Sequence, residues 1–252
     1  MMYRMFCLFY CGLLSTPVFA VEVHVGAIFS SQGPLAEIVR FFEKTSADKI
    51  IVHQEYMTSQ ALIQQVRENA NLDIFLSGNI RIPLQLELDG LLAHEGRFTY
   101  AFGKLVLWSK NASLVDTKGE ILHSEKFQSI AVLDRQNSPH GYGVATRQIL
   151  EKLKLWEKLQ PKLVFIDNSA EIQKQTQEGK FDLAFMPFAT LNPSKKIEGS
   201  LWIVPKSYYS PIEQQAVLLK RAENNAAARA FFDYLKSPQA RNIFEKYGFS
   251  LP

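Results

Sequence analysis

The stretch Val21–Lys44, VEVHVGAIFSSQGPLAEIVRFFEK, contains a strand-to-helix transition that recurs along most of the chain. Its first nine residues alternate in polarity and are rich in β-branched side chains, which predicts a strand over Val21–Phe29. A turn with two serines and Pro34 follows, and apolar residues then recur at helical spacing over Leu35–Lys44. A proline in the first turn after a serine cap is typical of a helix N-terminus. The stretch therefore predicts a strand, a short polar turn and a helix.

The same alternation of strand and helix continues in two sets. The first set predicts further strands over 49–56 and 72–76, with helices from Thr58 and over 83–92. The second set contains strands over 129–133, 162–166 and 181–187, and helices over 144–153 and 170–177. Short connections between these elements predict an α/β fold with two lobes, each a mainly parallel sheet flanked by helices.

Two extended segments, near 98–109 and 201–215, lie between the sets and predict two crossover strands that join the lobes. Lobe 1 is accordingly assigned residues 21–100 and 208–252, and lobe 2 residues 101–207. Two predicted helices at the C-terminus are expected to pack back on lobe 1. Lobes joined in this way open and close about their connections, so the crossover strands are the predicted hinge.

The segment Met1–Ala20 has the organisation of a secretory signal peptide. Arg4 supplies a positive charge, and the apolar run Met5–Leu14 is too short to span about 30 Å of hydrocarbon at about 1.5 Å per residue. Small residues at the end of the segment suit a signal peptidase. An uncleaved membrane anchor and a buried first helix are the alternatives. The segment predicts export, with a periplasmic location for the mature chain.

Composition narrows the class of protein. The chain has 252 residues, 47% of them hydrophobic, and its 28 basic residues are nearly balanced by 25 acidic ones, which excludes disorder and argues against a nucleic-acid binder. Both cysteines, Cys7 and Cys11, lie in the predicted signal peptide, so the mature chain is expected to lack disulfides and thiolate metal sites. A lipid anchor at Cys11 is an alternative, although bulky Phe9 and Tyr10 precede it.

Catalytic motifs are missing from the sequence. It contains no nucleophile elbow, no phosphate-binding P-loop and no zinc-protease motif. Its histidines are spread along the chain without metal-ligand spacing, and each is interpreted as a surface or strand residue. They are His24, His53, His94, His123 and His140. The prediction is a protein that is not an enzyme, and an exported hydrolase with Ser30 or Ser59 as nucleophile is the catalytic alternative.

Hydroxyl-bearing or small residues recur where a predicted strand ends and a helix begins. The pairs are Ser30 with Ser31, Thr58 with Ser59, Tyr142 with Gly143, and Asn168 with Ser169. Backbone N–H groups at a helix N-terminus are unpaired and carry about half a positive charge, so they bind anions. Open α/β sheets place ligands at these strand ends. The alternative is that each pair is an ordinary N-cap, which stabilises its helix by about 1 kcal/mol.

The C-terminal stretch Ala228–Phe249, ARAFFDYLKSPQARNIFEKYGF, closely resembles the end of periplasmic molybdate-binding proteins. These proteins are the substrate-binding components of ABC importers. The likeness covers essentially the whole mature chain. It includes the segments Ala27–Leu35, Ser59–Leu62, Leu72–Ser77, Gly143–Trp156 and Asn168–Leu183.

The resemblance implies a two-lobed periplasmic-binding-protein fold that binds molybdate or tungstate through hydroxyls and backbone amides. Ser30 and Ser59 match the serines that donate hydrogen bonds to the oxyanion from the first lobe. They would bind the molybdenum or tungsten ion in its oxyanion form, molybdate or tungstate. Tyr142 and Ser169 match positions whose main-chain amides donate from the second lobe. The implied partners are a membrane permease and its ATPase, with the binding protein a monomer and no cofactor besides the anion.

One position departs from the family pattern. The tyrosine that many members place after the last strand of the second lobe corresponds to Pro187, which has neither a phenol nor an N–H. Ser31, Thr58 and Thr190 are candidates to replace that donor. Arg135 is a candidate cation at the cleft, with a solvated loop arginine as the alternative. A different anion (phosphate, phosphonate or sulfate) or a sensory role is therefore the alternative function.

Overall fold

The structure, a computed structural model, describes residues 20–47, 49–68, 71–133 and 141–252. The predicted signal peptide lies outside these residues except for Ala20, and so do Arg135 and His140. No helix within the described ranges is long and apolar enough to cross a membrane.

The described residues form two five-stranded sheets and eight α-helices. The strands are β1 (Val21–Ile28), β2 (Ile50–Met57), β3 (Ile74–Ser77), β4 (Leu92–Gly103), β5 (Leu105–Ser109), β6 (Ile130–Leu133), β7 (Leu163–Ile166), β8 (Leu183–Pro187), β9 (Ser200–Ile203) and β10 (Ile212–Leu219). The helices are α1 (Gln32–Thr45), α2 (Ser59–Arg67), α3 (Arg81–Leu88), α4 (Tyr142–Lys152), α5 (Trp156–Leu159), α6 (Ser169–Gln177), α7 (Ala226–Tyr234) and α8 (Pro238–Lys246). The prediction of two α/β lobes is confirmed.

Each sheet has a parallel part and an antiparallel part. The first sheet has the order β2-β1-β3-β10-β4, and the second has β7-β6-β8-β5-β9. β1 is parallel to β2 and β3, whereas β10 is antiparallel to β3 and β4. β6 is likewise parallel to β7 and β8, whereas β5 is antiparallel to β8 and β9. The antiparallel pairs arise at the two crossovers between the sheets. The chain passes from β4 in the first sheet to β5 in the second, and it returns from β9, which pairs with β5, to β10, which pairs with β4.

The larger part of the core of the first lobe lies on one face of its sheet. Alternation along β1 turns Val23 and Val25 toward Ile38 of α1. Phe231 of α7 and Phe244 of α8 are fully buried in the same cluster. The two C-terminal helices therefore pack on the first lobe, as the sequence predicts.

Both sheets are covered on both faces, as parallel strands require. In the first lobe, Leu62 of α2 and Leu86 of α3 are buried against Phe75 on the face opposite α1. In the second lobe, Ile149 of α4 and Ile172 of α6 are fully buried in separate clusters on the two sides of the sheet.

Most predicted elements are present, but the helix predicted over 83–92 is wrong at its end. α3 ends at Leu88, and Leu92 begins β4. Gly90 has φ +72, a left-handed conformation that commonly terminates a helix. The division of the chain at residues 100 and 207 stays a prediction, because membership in a sheet does not measure which residues move together.

Candidate functional site

A small cavity lies between the two sheets, where strands end and helices begin. The first lobe contributes the ends of β1 and β2 with the start of α2, and the second contributes the ends of β6 and β8 with the starts of α4 and α6. Its volume is about 60 Å³, whereas pockets for drug-sized ligands measure roughly 300–1,000 Å³. The cavity therefore suits a small ion.

The structure brings most of the predicted site residues to this cavity. Those that line it are Ser30, Thr58, Ser59, Tyr142, Ser169 and Pro187. Ser31 does not line it, because its Oγ lies 3.0 Å from the Tyr100 hydroxyl in the interior of the first lobe. The predicted role of Ser31 as a replacement donor for the ligand stays a prediction. Arg135 is outside the described residues, and the ligand-binding roles of the lining residues stay predictions.

At two of the strand-to-helix junctions, one residue caps the helix and the next residue lines the cavity. The Thr58 Oγ1 accepts a hydrogen bond of 3.3 Å from the Ala61 amide, so Thr58 caps α2. The Asn168 side chain accepts one of 2.8 Å from the amide of Glu171 and caps α6. The N-cap alternative is thus confirmed for Thr58 and Asn168. The serine that follows each cap is the first residue of its helix and lines the cavity.

Two buried hydroxyls at the cavity are unpartnered. Ser30 is 4% exposed and Tyr142 is 5% exposed, and within the described residues neither hydroxyl has a hydrogen-bond partner. Leaving a buried polar group unpaired costs about 1–3 kcal/mol. Both hydroxyls are therefore available to a ligand that accepts hydrogen bonds.

The start of α4 lies directly against the first lobe. Gly141, which precedes it, has φ +91, and a Cβ there would come within 2.9 Å of the carbonyl oxygen of Gly78. A Cβ at Gly103 would overlap the Tyr142 hydroxyl. Glycine at these two positions thus lets the first turn of α4 close one side of the cavity.

Within the described lining, positive charge comes from helix dipoles. Among the described lining residues there is no lysine, arginine or histidine, and the lining carboxylate of Asp167 belongs to an exposed residue. The helix N-termini contribute about half a positive charge each through unpaired N–H groups. This arrangement favours a small anion that accepts many hydrogen bonds.

The Tyr142 phenol stays protonated at this site. Burial raises the pKa of Tyr142 well above its ordinary value, and the nearby phenols of Tyr100 and Tyr209 raise it further. The phenol is therefore a neutral hydrogen-bond donor at physiological pH.

Pro187, the position that departs from the family pattern, lines the cavity, whereas its candidate replacement Thr190 is not among the described lining residues. Pro187 ends β8 at the cavity without an N–H to offer.

Gly78 is a lining residue that the sequence patterns did not predict. It lies after β3 in the run Ser77-Gly78-Asn79, and the Asn79 side chain accepts a hydrogen bond of 3.1 Å from the Ile82 amide in the first turn of α3. The same signal of a polar residue between strand and helix marks this junction.

Comparison with known proteins identifies the family to which the chain belongs. Residues 23–250 match the family described as bacterial extracellular solute-binding protein. The molybdate-binding protein ModA of Azotobacter vinelandii is 34% identical over 241 residues, which are 95% of this chain and 94% of that protein. ModA of Rhodobacter capsulatus is 34% identical over 237 residues, 94% of this chain and 91% of that protein.

A solved structure agrees with this result over nearly the whole chain. The periplasmic molybdate-binding protein of Azotobacter vinelandii superimposes with a TM-score of 0.84 at 33% identity, covering 92% of this chain and all of that one (100%). The resemblance to molybdate-binding proteins that the C-terminal stretch indicates is thereby confirmed. The chain belongs to the family of bacterial extracellular solute-binding proteins.

Proposed function

We propose that the protein binds a tetrahedral oxyanion, molybdate or tungstate, in the interlobe cavity and presents it to an ABC importer. The observation that carries this proposal is the convergence of hydroxyls and helix N-termini on a cavity of about 60 Å³ without a cationic side chain among its described lining residues. Uncharged donors suit an anion that must be released again. The two relatives at 34% identity, both named as molybdate-binding, support the choice of ion.

Donors from both lobes surround the proposed anion. Ser30 and Ser59 donate hydroxyl and amide hydrogens from the first lobe, and the amides of Tyr142 and Ser169 donate from the second. A tetrahedral anion has oxygens pointing in four directions, so it joins two facing lobes more completely than a planar anion does. Selectivity then follows from the radius of the closed cavity, because sulfate and molybdate carry equal charge and differ mainly in size.

The second candidate is a different anion in the same cavity, such as sulfate, phosphate or a phosphonate, or a sensory role for the binding event. Pro187 favours it, because this residue occupies the cavity end of β8 and has no N–H. A hydrogen bond to a charged group is worth about 1.5–3 kcal/mol, so losing one changes affinity about tenfold to a hundredfold. A hydrolase is not proposed, since no described histidine lines the cavity beside Ser30 or Ser59.

The proposed working cycle places the protein in the periplasm as a monomer. Its lobes close on the anion about the crossover strands, and a membrane permease with its ATPase recognises the closed form. No cofactor takes part, and the anion is cargo. The domain division at residues 100 and 207 belongs to this proposal, since it places both crossovers at the hinge.

Thermal denaturation of the mature protein with a panel of anions tests the proposal. Molybdate and tungstate, each at about a thousand times its dissociation constant, should add about 4 kcal/mol to the free energy of unfolding. Sulfate, phosphate and methylphosphonate at the same concentration should add much less. Stabilisation by sulfate, phosphate or methylphosphonate without a response to molybdate or tungstate would select a different anion, and indifference to all five anions would reject both candidate ligand classes.

A further inference from the structure

Two histidines and a glutamate lie close together on β1 and β2, on the face of the first sheet opposite Val23 and Val25. His24 of β1 and His53 of β2 are register partners, and Glu22 precedes His24 by two residues and so shares its face. Their side chains are 24%, 44% and 57% exposed, respectively. Along the sequence the histidines are scattered, and their spacing does not show that β1 and β2 are neighbours.

The ligand atoms of the three side chains lie close to one another. The imidazole rings stack with centroids 4.9 Å apart and an angle of 16° between their planes. The Nε2 atoms of His24 and His53 lie 3.8 Å and 3.6 Å from the two carboxylate oxygens of Glu22. One ligand atom from each residue lies within 4.8 Å of the other two.

These distances are close to those of a tetrahedral metal site. Zinc binds imidazole nitrogen and carboxylate oxygen at about 2.0–2.2 Å, which places neighbouring ligand atoms about 3.4 Å apart. The Glu22 contacts at 3.6 Å and 3.8 Å exceed this spacing by a few tenths of an ångström, within the reach of exposed side chains. Two histidines with one glutamate form a donor set that zinc uses when a fourth position stays open to water.

The donor chemistry separates the candidate metals. Imidazole nitrogen suits zinc, copper and nickel, whereas magnesium and calcium prefer sites made only of oxygen ligands. An ion pair alone does not explain the arrangement, because an exposed pair is worth at most about 1 kcal/mol and needs only one imidazole. Here both Nε2 atoms face the same carboxylate.

We propose that Glu22, His24 and His53 form a surface site for one divalent transition-metal ion of the zinc type. The site is separate from the interlobe cavity. His24 lies four residues before Ile28 on β1, and four residues of strand span about 13 Å. A bound ion links β1 to β2, which is the edge strand of the first sheet, and therefore stabilises the folded chain without any anion in the cavity.

Calorimetric titration of untagged, chelator-stripped mature protein with zinc, in the absence of oxyanion, tests this site. We expect one zinc ion per chain and a rise in melting temperature when zinc is added. Replacing a ligand by His53→Ala or Glu22→Gln should weaken zinc binding at least about tenfold. His123→Ala removes an exposed histidine in the second lobe and should leave the affinity unchanged.

Melting curves recorded without metal show whether each variant is folded, and Glu22→Gln keeps the size of the side chain. Unchanged zinc affinity in both folded ligand variants, or no zinc binding by the natural chain, would overturn the proposal. Binding of molybdate plays no part in this readout, so the outcome is independent of the proposed transport function.

Discussion

Adjacent residues at the start of α2 have different environments. The Thr58 oxygen is engaged with the Ala61 amide, whereas Ser59 lies at the first helical position and lines the cavity. The cap stabilises the helix, and the serine after it is placed to serve a ligand. Substitutions of the two residues are therefore expected to separate stability from binding.

Ser59→Ala should weaken molybdate binding about tenfold to a hundredfold, because a hydrogen bond to a charged group is worth about 1.5–3 kcal/mol. It should leave the melting temperature without ligand nearly unchanged. Thr58→Ala should instead lower the free energy of unfolding by about 1 kcal/mol through the lost cap. Calorimetry and thermal denaturation measure the two effects, with the exposed Thr117→Ala as control. Full affinity in Ser59→Ala would remove this hydroxyl from the site.

The protonation state of Tyr142 leads to a prediction about pH. Burial raises the pKa of this phenol well above its ordinary value, so the neutral donor form persists across the physiological range. Molybdate affinity measured by calorimetry should therefore be constant within about twofold between about pH 7 and about pH 9. A loss of affinity over this range that is absent in Tyr142→Phe would show that the phenol titrates there, against this account.

At the scale of elements, α4 reaches the cavity only because glycine precedes it. Gly141 combines φ +91 with a close approach to the Gly78 carbonyl oxygen in the other lobe. Gly179, after α6, has a similar φ of +82, but a side chain there would meet open space. Substitutions at Gly141 and Gly179 therefore distinguish the cost of backbone strain from the effect of lost contact between the lobes.

Gly179→Ala should cost about 1–2 kcal/mol of stability, the penalty of a left-handed alanine, and leave molybdate affinity unchanged. Gly141→Ala should cost more and also weaken binding at least about tenfold, because it pushes the start of α4 away from the first lobe. Thermal denaturation and calorimetry on both variants measure the difference. Equal affinities in the two variants would contradict the proposed role of this helix N-terminus.

One carboxylate of α1 makes polar contacts to α8 and to the residue after it. Glu37 accepts hydrogen bonds of 2.8 Å from Lys246 Nζ and 3.0 Å from the Tyr247 hydroxyl. Partial burial raises the pKa of Glu37, but these two hydrogen bonds and the charge of Lys246 lower it more, to a net value below the ordinary 4.5. A lowered pKa means that the stabilisation is complete above the ordinary value and is lost as the pH falls below it.

Glu37→Gln should therefore reduce the free energy of unfolding at neutral pH by about 1 kcal/mol. The difference from the natural chain should shrink as the pH is lowered below about 4.5, because the natural carboxylate is then protonated as well. Chemical denaturation at several pH values measures it, with the exposed Glu55→Gln as control. A difference that is independent of pH would show that charge is not involved.

Local signals predict elements and junctions well, but they do not predict pairings between distant residues. A polar residue between an apolar strand and a periodic helix marked Ser30, Ser59 and Ser169, which line the cavity. The same signal at Gly78 was missed. Ser31 carries the identical local signal, yet its hydroxyl contacts Tyr100, which is 69 residues away. The pairing of β1 with β2 is likewise a long-range contact, so their histidines could not be matched in advance.

At the scale of the whole molecule, both lobes are needed to complete the site. At the cavity edge of each sheet, strands end and helices begin, so helix N-termini of each lobe face the other lobe. The described lining contains no lysine, arginine or histidine that could hold an anion from one side. The central claim is that neutral dipoles from the two lobes hold the oxyanion between them. The first-lobe hydroxyls belong to side chains, so a substitution removes these donors without disturbing the backbone.

Titration calorimetry of molybdate into the natural chain and into the double variant Ser30→Ala/Ser59→Ala tests this claim most directly. We expect one molybdate per natural chain and an affinity at least about a hundredfold weaker in the double variant, with the free protein melting at an unchanged or higher temperature. Equal affinity in the two proteins, or no binding of molybdate to the natural chain, would contradict it.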